Sequence, residues 1–502
     1  MRFVPNTIVP MRAFILALGT APRTRLRALA IAVLVASLVA GLGTAIAPAA
    51  QAATWKSQAK KVKASAWPAR VAKVTAGPGS APGTAIVKWK ASNETTSYYQ
   101  LDLASTMFSK SDKTLPTRGR DFHSIKIPRN ARSYTVSAAL AAKVGAPIGS
   151  GNHIFFRFYA VNSAGKKNIV RVYPGLHAFT TAPPATGGTT DLTVASYNVG
   201  SIKAAVKTKG ATPWSSRRAK VASIIASSGA GLVALQEVGP GNIVDGGAVK
   251  STGLPRHTDD LVAALADKVG SDKYRLVRTT PYVQAGKTSG SQGARILYDS
   301  TQYKLLSNCP EETGKNAYSP SCSFPLPLNS GDSEGYRRRA AYALFEQIST
   351  GKVFYFVSVH LEHREGTTSK SILKLDKLRG KQATAVVSTM KSINTSGYPV
   401  IIGGDLNSWQ NYQRTGALPQ TKFLKGGYID GASATKRVGV KYPTSSQWAT
   451  TVKASTVGFG SRIDYLLAKG VAGATRYTNT MVRKDSRRGS DHALIKVTFR
   501  LP

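Results

Sequence analysis

Beyond residue 190, six apolar runs end in, or run straight into, a side chain that can bind a metal or a phosphate. They are Asn198 in "SYNVG", Glu237 in "LQEV", His360 in "SVHLEH", Asp405 with Asn407 in "GGDLNS", Asp464 in "RIDYLL" and Asp491-His492 in "GSDHAL". A carboxylate at the edge of an apolar core is costly unless a cation, a metal or a proton partner faces it. Taken singly, each residue has an ordinary explanation. Asn198 suits a turn, His360 a satisfied core histidine, Asp464 an ion pair with Arg462, and Asp491 a cap. Six together constrain the fold far more: the strands must pack in sheets with these ends together, so that the polar residues share one cleft.

The segments between those strands support this arrangement. "SSRRAKVASIIASSG" sets Val221, Ile224 and Ile225 at helical spacing, with serines before and Gly229 after. "DDLVAALADKVG" and "SKSILKLDKLRGKQATAVVSTMKSI" also read as helices, while "ARILYD", "AAYALFEQI" and "KVFYFVSVHLEH" read as strands. Residues 191–502 are therefore expected to form an α/β domain with buried sheets. The Pro-, Gly- and Thr-rich stretch around residues 183–190 reads as a linker. Residues 53–182 carry short alternating strands ("TAIVKWKA", "SYYQLDLAS", "HIFFRFYAVNSAGK") and no helical periodicity, which predicts a small all-β sandwich.

Residues 1–52 have the layout of a secretory signal peptide. Arg23, Arg25 and Arg27 precede an apolar run, and Ala50-Gln51-Ala52 offers a cleavage site. A transmembrane anchor is the competing reading, and the small Ala-rich exit disfavours it. The expected location is extracellular. Cys309 and Cys322 then read as one disulfide. The formal charge is +43, spread over both regions: residues 53–190 hold 20 basic and 4 acidic side chains, and residues 191–502 hold 43 and 21. Such a field favours polyanionic partners, namely nucleic acid, anionic lipid or a cell-wall polymer. No stable protein partner is expected.

In this order, "SYNV", "QE", "HL", "GGDLN", "YPT" (Tyr442 to Thr444), "RIDYLL" and "SDH" resemble the endonuclease/exonuclease/phosphatase, or deoxyribonuclease I-like, superfamily. The resemblance covers residues 191–502, and residues 66–182 loosely resemble a fibronectin type III module. It implies two β-sheets packed face to face and flanked by helices, and phosphoester hydrolysis with a divalent cation, magnesium or manganese. Carried over by motif, Glu237 would hold the metal with Asn198 and Asp491. His360, Asp405, Asn407, Asp464 and His492 would form the catalytic set, with Asp464 fixing the tautomer of His492. Arg295 and Tyr298 lie on a strand that borders the family's cleft and are expected either to touch substrate or simply to pack. Arg337 to Arg339 suit either phosphate contact or a solvated strand start. "AGKTSG" lacks the first glycine of a P-loop, Pro281 standing in its place.

The expected function is a secreted, non-specific nuclease. A sphingomyelinase-like or phosphoinositide-phosphatase-like phosphoesterase is the alternative, with Trp448 and Phe459 as its candidate membrane-facing aromatics. A non-catalytic polyanion-binding adhesion protein is the third reading.

Overall fold

The computed structural model describes residues 68, 71–93, 95–104, 123–144, 153–170, 176–179, 189–202, 208, 210–239, 244–245, 248–249, 257–271, 273–277, 293–307, 322–409, 418–455, 459–485 and 488–502. The expected signal peptide, most of the expected linker, Cys309 and "AGKTSG" lie outside the described residues.

Eight short strands come first: β1 (Thr75–Pro78), β2 (Ala85–Lys88), β3 (Tyr98–Ala104), β4 (His123–Pro128), β5 (Ser133–Val136), β6 (His153–Val161), β7 (Lys167–Val170) and β8 (Leu176–Phe179). They form one sheet in the order β1-β2-β5 and another in the order β4-β3-β6-β7, with β8 also on β6. Strand alternation sends Val87, Leu101, Phe156 and Phe158 inward around Trp89 and Tyr99. One expectation fails here. A short helix, α1 (Ala138–Lys143), interrupts the strands, because Ser137 caps Leu140 N and the alanine-rich stretch that follows has high helix propensity.

The remaining strands are β9 (Thr190–Asn198), β10 (Leu232–Val238), β11 (Val244–Asp245), β12 (Ala248–Val249), β13 (Tyr274–Val277), β14 (Gly293–Asp299), β15 (Tyr303–Leu305), β16 (Ser323–Pro325), β17 (Arg339–Gln347), β18 (Lys352–His360), β19 (Val400–Asp405), β20 (Ile429–Asp430), β21 (Lys436–Val438), β22 (Asp464–Lys469), β23 (Gly473–Asn479) and β24 (Ile495–Leu501). They build a first sheet, β13-β14-β10-β9-β24-β23-β21, and a second, β15-β17-β18-β19-β22-β20, with β16 on β17, while β11 and β12 pair only with each other. Leu192, Val194, Ala234 and Val497 of the first sheet pack against Phe345, Phe356, Ile401 and Leu466 of the second. Helices α2 (Trp214–Ser228) and α3 (His257–Val269) cover the outside of the first sheet through Val221, Ile225 and Leu261. Helix α4 (Ser369–Ile393), with α5 (Pro419–Lys425), covers the second through Ala383, Val386, Met390 and Phe423. The fold is α/β, two packed β-sheets flanked by helices.

The Gly-Gly pair before Asp405 has a steric cause. A Cβ at Gly403 would stand 2.6 Å from the Ala234 Cβ of the facing sheet, and one at Gly404 would collide with the Val359 carbonyl. The facing sheet at Gly403 and the neighbouring strand at Gly404 come too close for a side chain, and only glycine fits there.

Candidate active site

Strand register places the first three residues. His360 pairs with Asp405 across the parallel β18–β19 ladder, and Asp405 pairs with Asp464 across the antiparallel β19–β22 ladder. Since β22 runs against β19, the start of one strand lies beside the end of the other. A residue that opens a run thus meets residues that close theirs. On the first sheet, Asn198 ends β9 beside Gln236 of β10.

Glu237 follows in a backbone conformation that non-glycine residues seldom adopt, with φ of 63°, where the β10–β14 register shifts. Plain alternation would turn its side chain to the face shared by Leu235 and the helices. The bulge re-aims the carboxylate at Asn198 instead. Asn198 Nδ2 donates to Glu237 Oε1 and to Asp405 Oδ2, both at 3.1 Å. Asn407, at φ of 46°, donates its backbone N–H to Asp405 Oδ1 at 2.8 Å and its side-chain amide to the Leu361 carbonyl at 3.2 Å.

The Asp405 Oδ2 atom is the centre of the constellation. It lies 3.6 Å from His360 Nε2 and 3.8 Å from His492 Nε2. His492 Nδ1 faces both oxygens of Asp464, at 3.0 and 2.9 Å. Asp491 is half-buried, 4.0 Å from His492 Nε2, and its carbonyl accepts from Ser446 N at 2.6 Å. Burial pushes the Asp405 carboxyl up to about 7, against the pull of His492, and the neighbouring charge of Asp464 adds to the rise. Burial alone would lower the His492 imidazole, but Asp464, Asp491 and Asp405 outweigh it and hold His492 well above its ordinary range. His360 goes the other way: burial and the Arg338 guanidinium keep it neutral.

Asp405, Asp464 and His492 also offer three ligand atoms within 4.8 Å of one another, the metal-competent group found among the described residues. Asn198, Glu237 and Asn407 join the same hydrogen-bonded constellation, His360 stands against it at 3.6 Å from Asp405, and Asp491 borders it. Two expected substrate contacts do not join it. Tyr298 pairs with Leu232, at the end of β10 remote from Glu237, and packs against Phe345 in the inter-sheet core. Arg295 is buried on the face shared by Leu235, where its Nε donates to the Val238 carbonyl at 3.3 Å. Alternation on β14 decides both placements. Of the three consecutive arginines, Arg338 approaches His360 Nδ1 at 3.5 Å and also contacts His363. Arg337 donates to the Leu326 carbonyl and Arg339 to Ser323 Oγ. Arg462 pairs with Asp430 at 2.6 Å, not with Asp464.

One positioning residue escapes sequence reading altogether. Arg217 is 1% exposed and donates to the carbonyls of Val199, Gly200, Ser201, Thr212 and Gly489. Its guanidinium lies between the rings of Trp214 (4.9 Å) and Trp448 (5.5 Å). The loop after Asn198 and the loop before Asp491 are thereby tied to one cation. Ser201 N in turn donates to Glu237 Oε2 at 2.6 Å, and Ser490 Oγ to the Asn198 carbonyl at 2.7 Å. A faint signal exists: Trp214, Arg217, Val221 and Ile225 share one face of α2, so an arginine stands in a buried stripe.

Residues 375–492, which include Asp405, Asn407, Asp464, Asp491 and His492, match the endonuclease/exonuclease/phosphatase family model. This is a phosphoesterase domain. Members of the family are hydrolases acting on phosphoester bonds and are generally dependent on a divalent metal. The phosphoesterase is similar to an endonuclease/exonuclease/phosphatase from Bacteroides vulgatus, with 20% identity, 62% of this chain and 100% of that one covered, and a TM-score of 0.44. It is similar to a mannosyl-6-phosphatase from Bacteroides thetaiotaomicron, with 20% identity, 61% and 99% coverage, and a TM-score of 0.42. It is similar to the human Nocturnin catalytic domain, with 14% identity, 62% and 97% coverage, and a TM-score of 0.37. No curated protein matches the phosphoesterase at sequence level.

Proposed function

We propose that the chain is a secreted, divalent-metal-dependent nuclease that hydrolyses nucleic-acid phosphodiesters without sequence preference. The observation that carries the chemistry is the position of Asp405 Oδ2, flanked by Asn198 Nδ2 and by the Nε2 atoms of His360 and His492. A carboxylate poised near neutrality is suited to take a proton from an attacking water. Asp464 accepts from His492 Nδ1, so Nε2 of the imidazolium faces the phosphate and stabilises the charge that builds on its oxygens. Neutral His360 and the Asn198 amide add donors to the same place. Asn407 fixes the Asp405 carboxylate through its backbone N–H.

Glu237, with Asn198 and Asp491, has the donor set for a hard dication. Glu237 Oε1 and Asp405 Oδ2 converge on a single amide nitrogen, a concentration of anionic oxygen that suits magnesium or manganese. Asp464 is less suited to ligate, because both of its oxygens serve His492. A cation held there would supply Lewis-acid neutralisation of the phosphate.

Nucleic acid is favoured over lipid by charge and by two aromatics. The excess of 43 basic over 21 acidic side chains in residues 191–502 suits a phosphate backbone. Trp448, which was to face a membrane, stacks on Arg217, and Phe459 lies in the inter-sheet core, so neither projects as an anchor. The same reading takes residues 1–52 as an export signal, 183–190 as a linker and Cys309–Cys322 as a disulfide. The test is nicking of supercoiled plasmid by residues 53–502 with magnesium or manganese, beside EDTA and His492→Ala controls. Nicking that needs both metal and His492 supports the nuclease. Turnover of small phosphomonoesters without nicking refutes it.

A further inference from the structure

Nothing above assigns a role to the first eight strands, yet one of their sheets has an organised outer face. On β3 and β6, Tyr99, Leu101, Phe156 and Phe158 point into the sandwich core. Alternation therefore sets Tyr98, Gln100, Asp102, Arg157 and Tyr159 on the opposite face, with Ser124 and Lys126 from β4 beside them. Both tyrosines on this face are half-buried, and each lies against cations. Lys126 Nζ is 4.5 Å from the centre of the Tyr98 ring, while Arg157 and Lys167 lie 5.8 and 5.6 Å from that of Tyr159.

Arg157 and Lys167 are held by a polar network. Asp102, 1% exposed, accepts from Gln100 and Ser124, both at 2.7 Å, and from Arg157 at 3.0 Å. Gln100 Oε1 accepts from Lys167 at 2.7 Å. The acid is thus enclosed and paired, and the charge presented outward is positive. Tyr98 pairs with Val161 and Gln100 with Tyr159, so the two tyrosines are diagonal neighbours on the sheet. Two rings side by side on one face, interleaved with cations, match a chain that carries both π-faces and phosphates.

We infer that this face, Tyr98 and Tyr159 with Lys126, Arg157 and Lys167, binds single-stranded nucleic acid, the bases on the tyrosines and the phosphates on the cations. The inference rests on the nucleic-acid reading of the substrate and gives the sandwich the task of holding the strand that the phosphoesterase cuts. A cation alone would suit any acidic polymer. The paired rings select one with aromatic bases.

The test uses the full chain. Binding of a fluorescein-labelled single-stranded oligonucleotide is followed by anisotropy in EDTA over a salt series. Turnover of bis-p-nitrophenyl phosphate with metal reports the active site separately. Tyr98→Leu/Tyr159→Leu keeps apolar bulk and removes the rings, and is expected to weaken binding by roughly 30-fold or more. Tyr98→Phe/Tyr159→Phe retains affinity. Lys126→Ala/Lys167→Ala lowers the slope of log affinity against log salt by about 0.7 per lysine. All three variants leave small-substrate turnover and the thermal midpoint unchanged. Equal affinity of the Leu and Phe pairs overturns the inference, as does equal competition by an acidic polymer without bases. Plasmid nicking by the native protein with no effect of the Leu pair on binding would sink this inference alone. Ring-dependent binding without nicking would sink the nuclease reading alone.

Discussion

His360, Asp405 and Asp464 stand in one row across three hydrogen-bonded strands, whereas Asn198, Glu237 and the Asp491-His492 pair are set by a strand end, a bulge and a loop. The first group inherits its spacing from the ladder, which fixes neighbouring strands about 4.8 Å apart whatever their side chains. In the second only Asn198 stands in a ladder, opposite Gln236, and the other three have none to set them. Its loops depend on one buried cation, Arg217, to gather carbonyls that would otherwise repel one another. The site therefore has a half that is hard to misplace and a half that one substitution can loosen.

The largest expected effect lies where the halves meet. Asp405→Ala or His492→Ala should lower kcat/KM by about 10²- to 10⁴-fold, with oligonucleotide affinity in EDTA preserved. Activity within tenfold of native would remove these residues from the chemistry. Next comes the difference between the halves. Arg217→Met strands several carbonyls at about 1–3 kcal/mol each, so urea denaturation should show a marked loss of stability. Arg217→Lys keeps the cation without the fork and is the sharper probe. Its thermal midpoint should fall modestly, while the metal concentration for half-maximal activity rises and kcat falls more than KM changes. A Lys variant with native metal dependence would erase the distinction drawn here.

Gly403→Ala tests the shared base of both halves. Overpacking against Ala234 should cost about 1–3 kcal/mol without a change in metal dependence. A smaller effect concerns pH. Burial pushes the Asp405 carboxyl up to about 7 in the folded protein, far above its unfolded range, so its charged form is the destabilising one. Asp405→Asn should raise the thermal midpoint in EDTA above pH 7, and that gain should shrink as pH falls through 7. A constant difference across pH would mean that burial does not govern this group. Smallest of all, Tyr298→Phe should leave kcat/KM unchanged, since its ring serves the core.

Much of this was legible in the residues. Apolar alternation and helical spacing gave the α/β class, and the polar residues at strand ends marked the groups that the fold brings together, because both depend only on local periodicity and the cost of burying charge. The short helix at Ala138–Lys143 was missed because six residues are too few to show a period. The facing of Arg295 and Tyr298 was not legible, because a run of apolar residues does not say which face packs on the other sheet. Arg217 was missed because its partners are backbone carbonyls, which every residue carries, drawn from segments as far as Gly489.

The sequence by itself determined which chemistry was present: carboxylates, imidazoles and amides at the ends of apolar strands, in a strongly basic chain. Only the tertiary structure decided which of those groups meet, which carboxylate sits near neutrality and which serves a histidine. Those outcomes depend on distances and burial between residues as far apart as Asn198 and Asp405, and no local pattern encodes them.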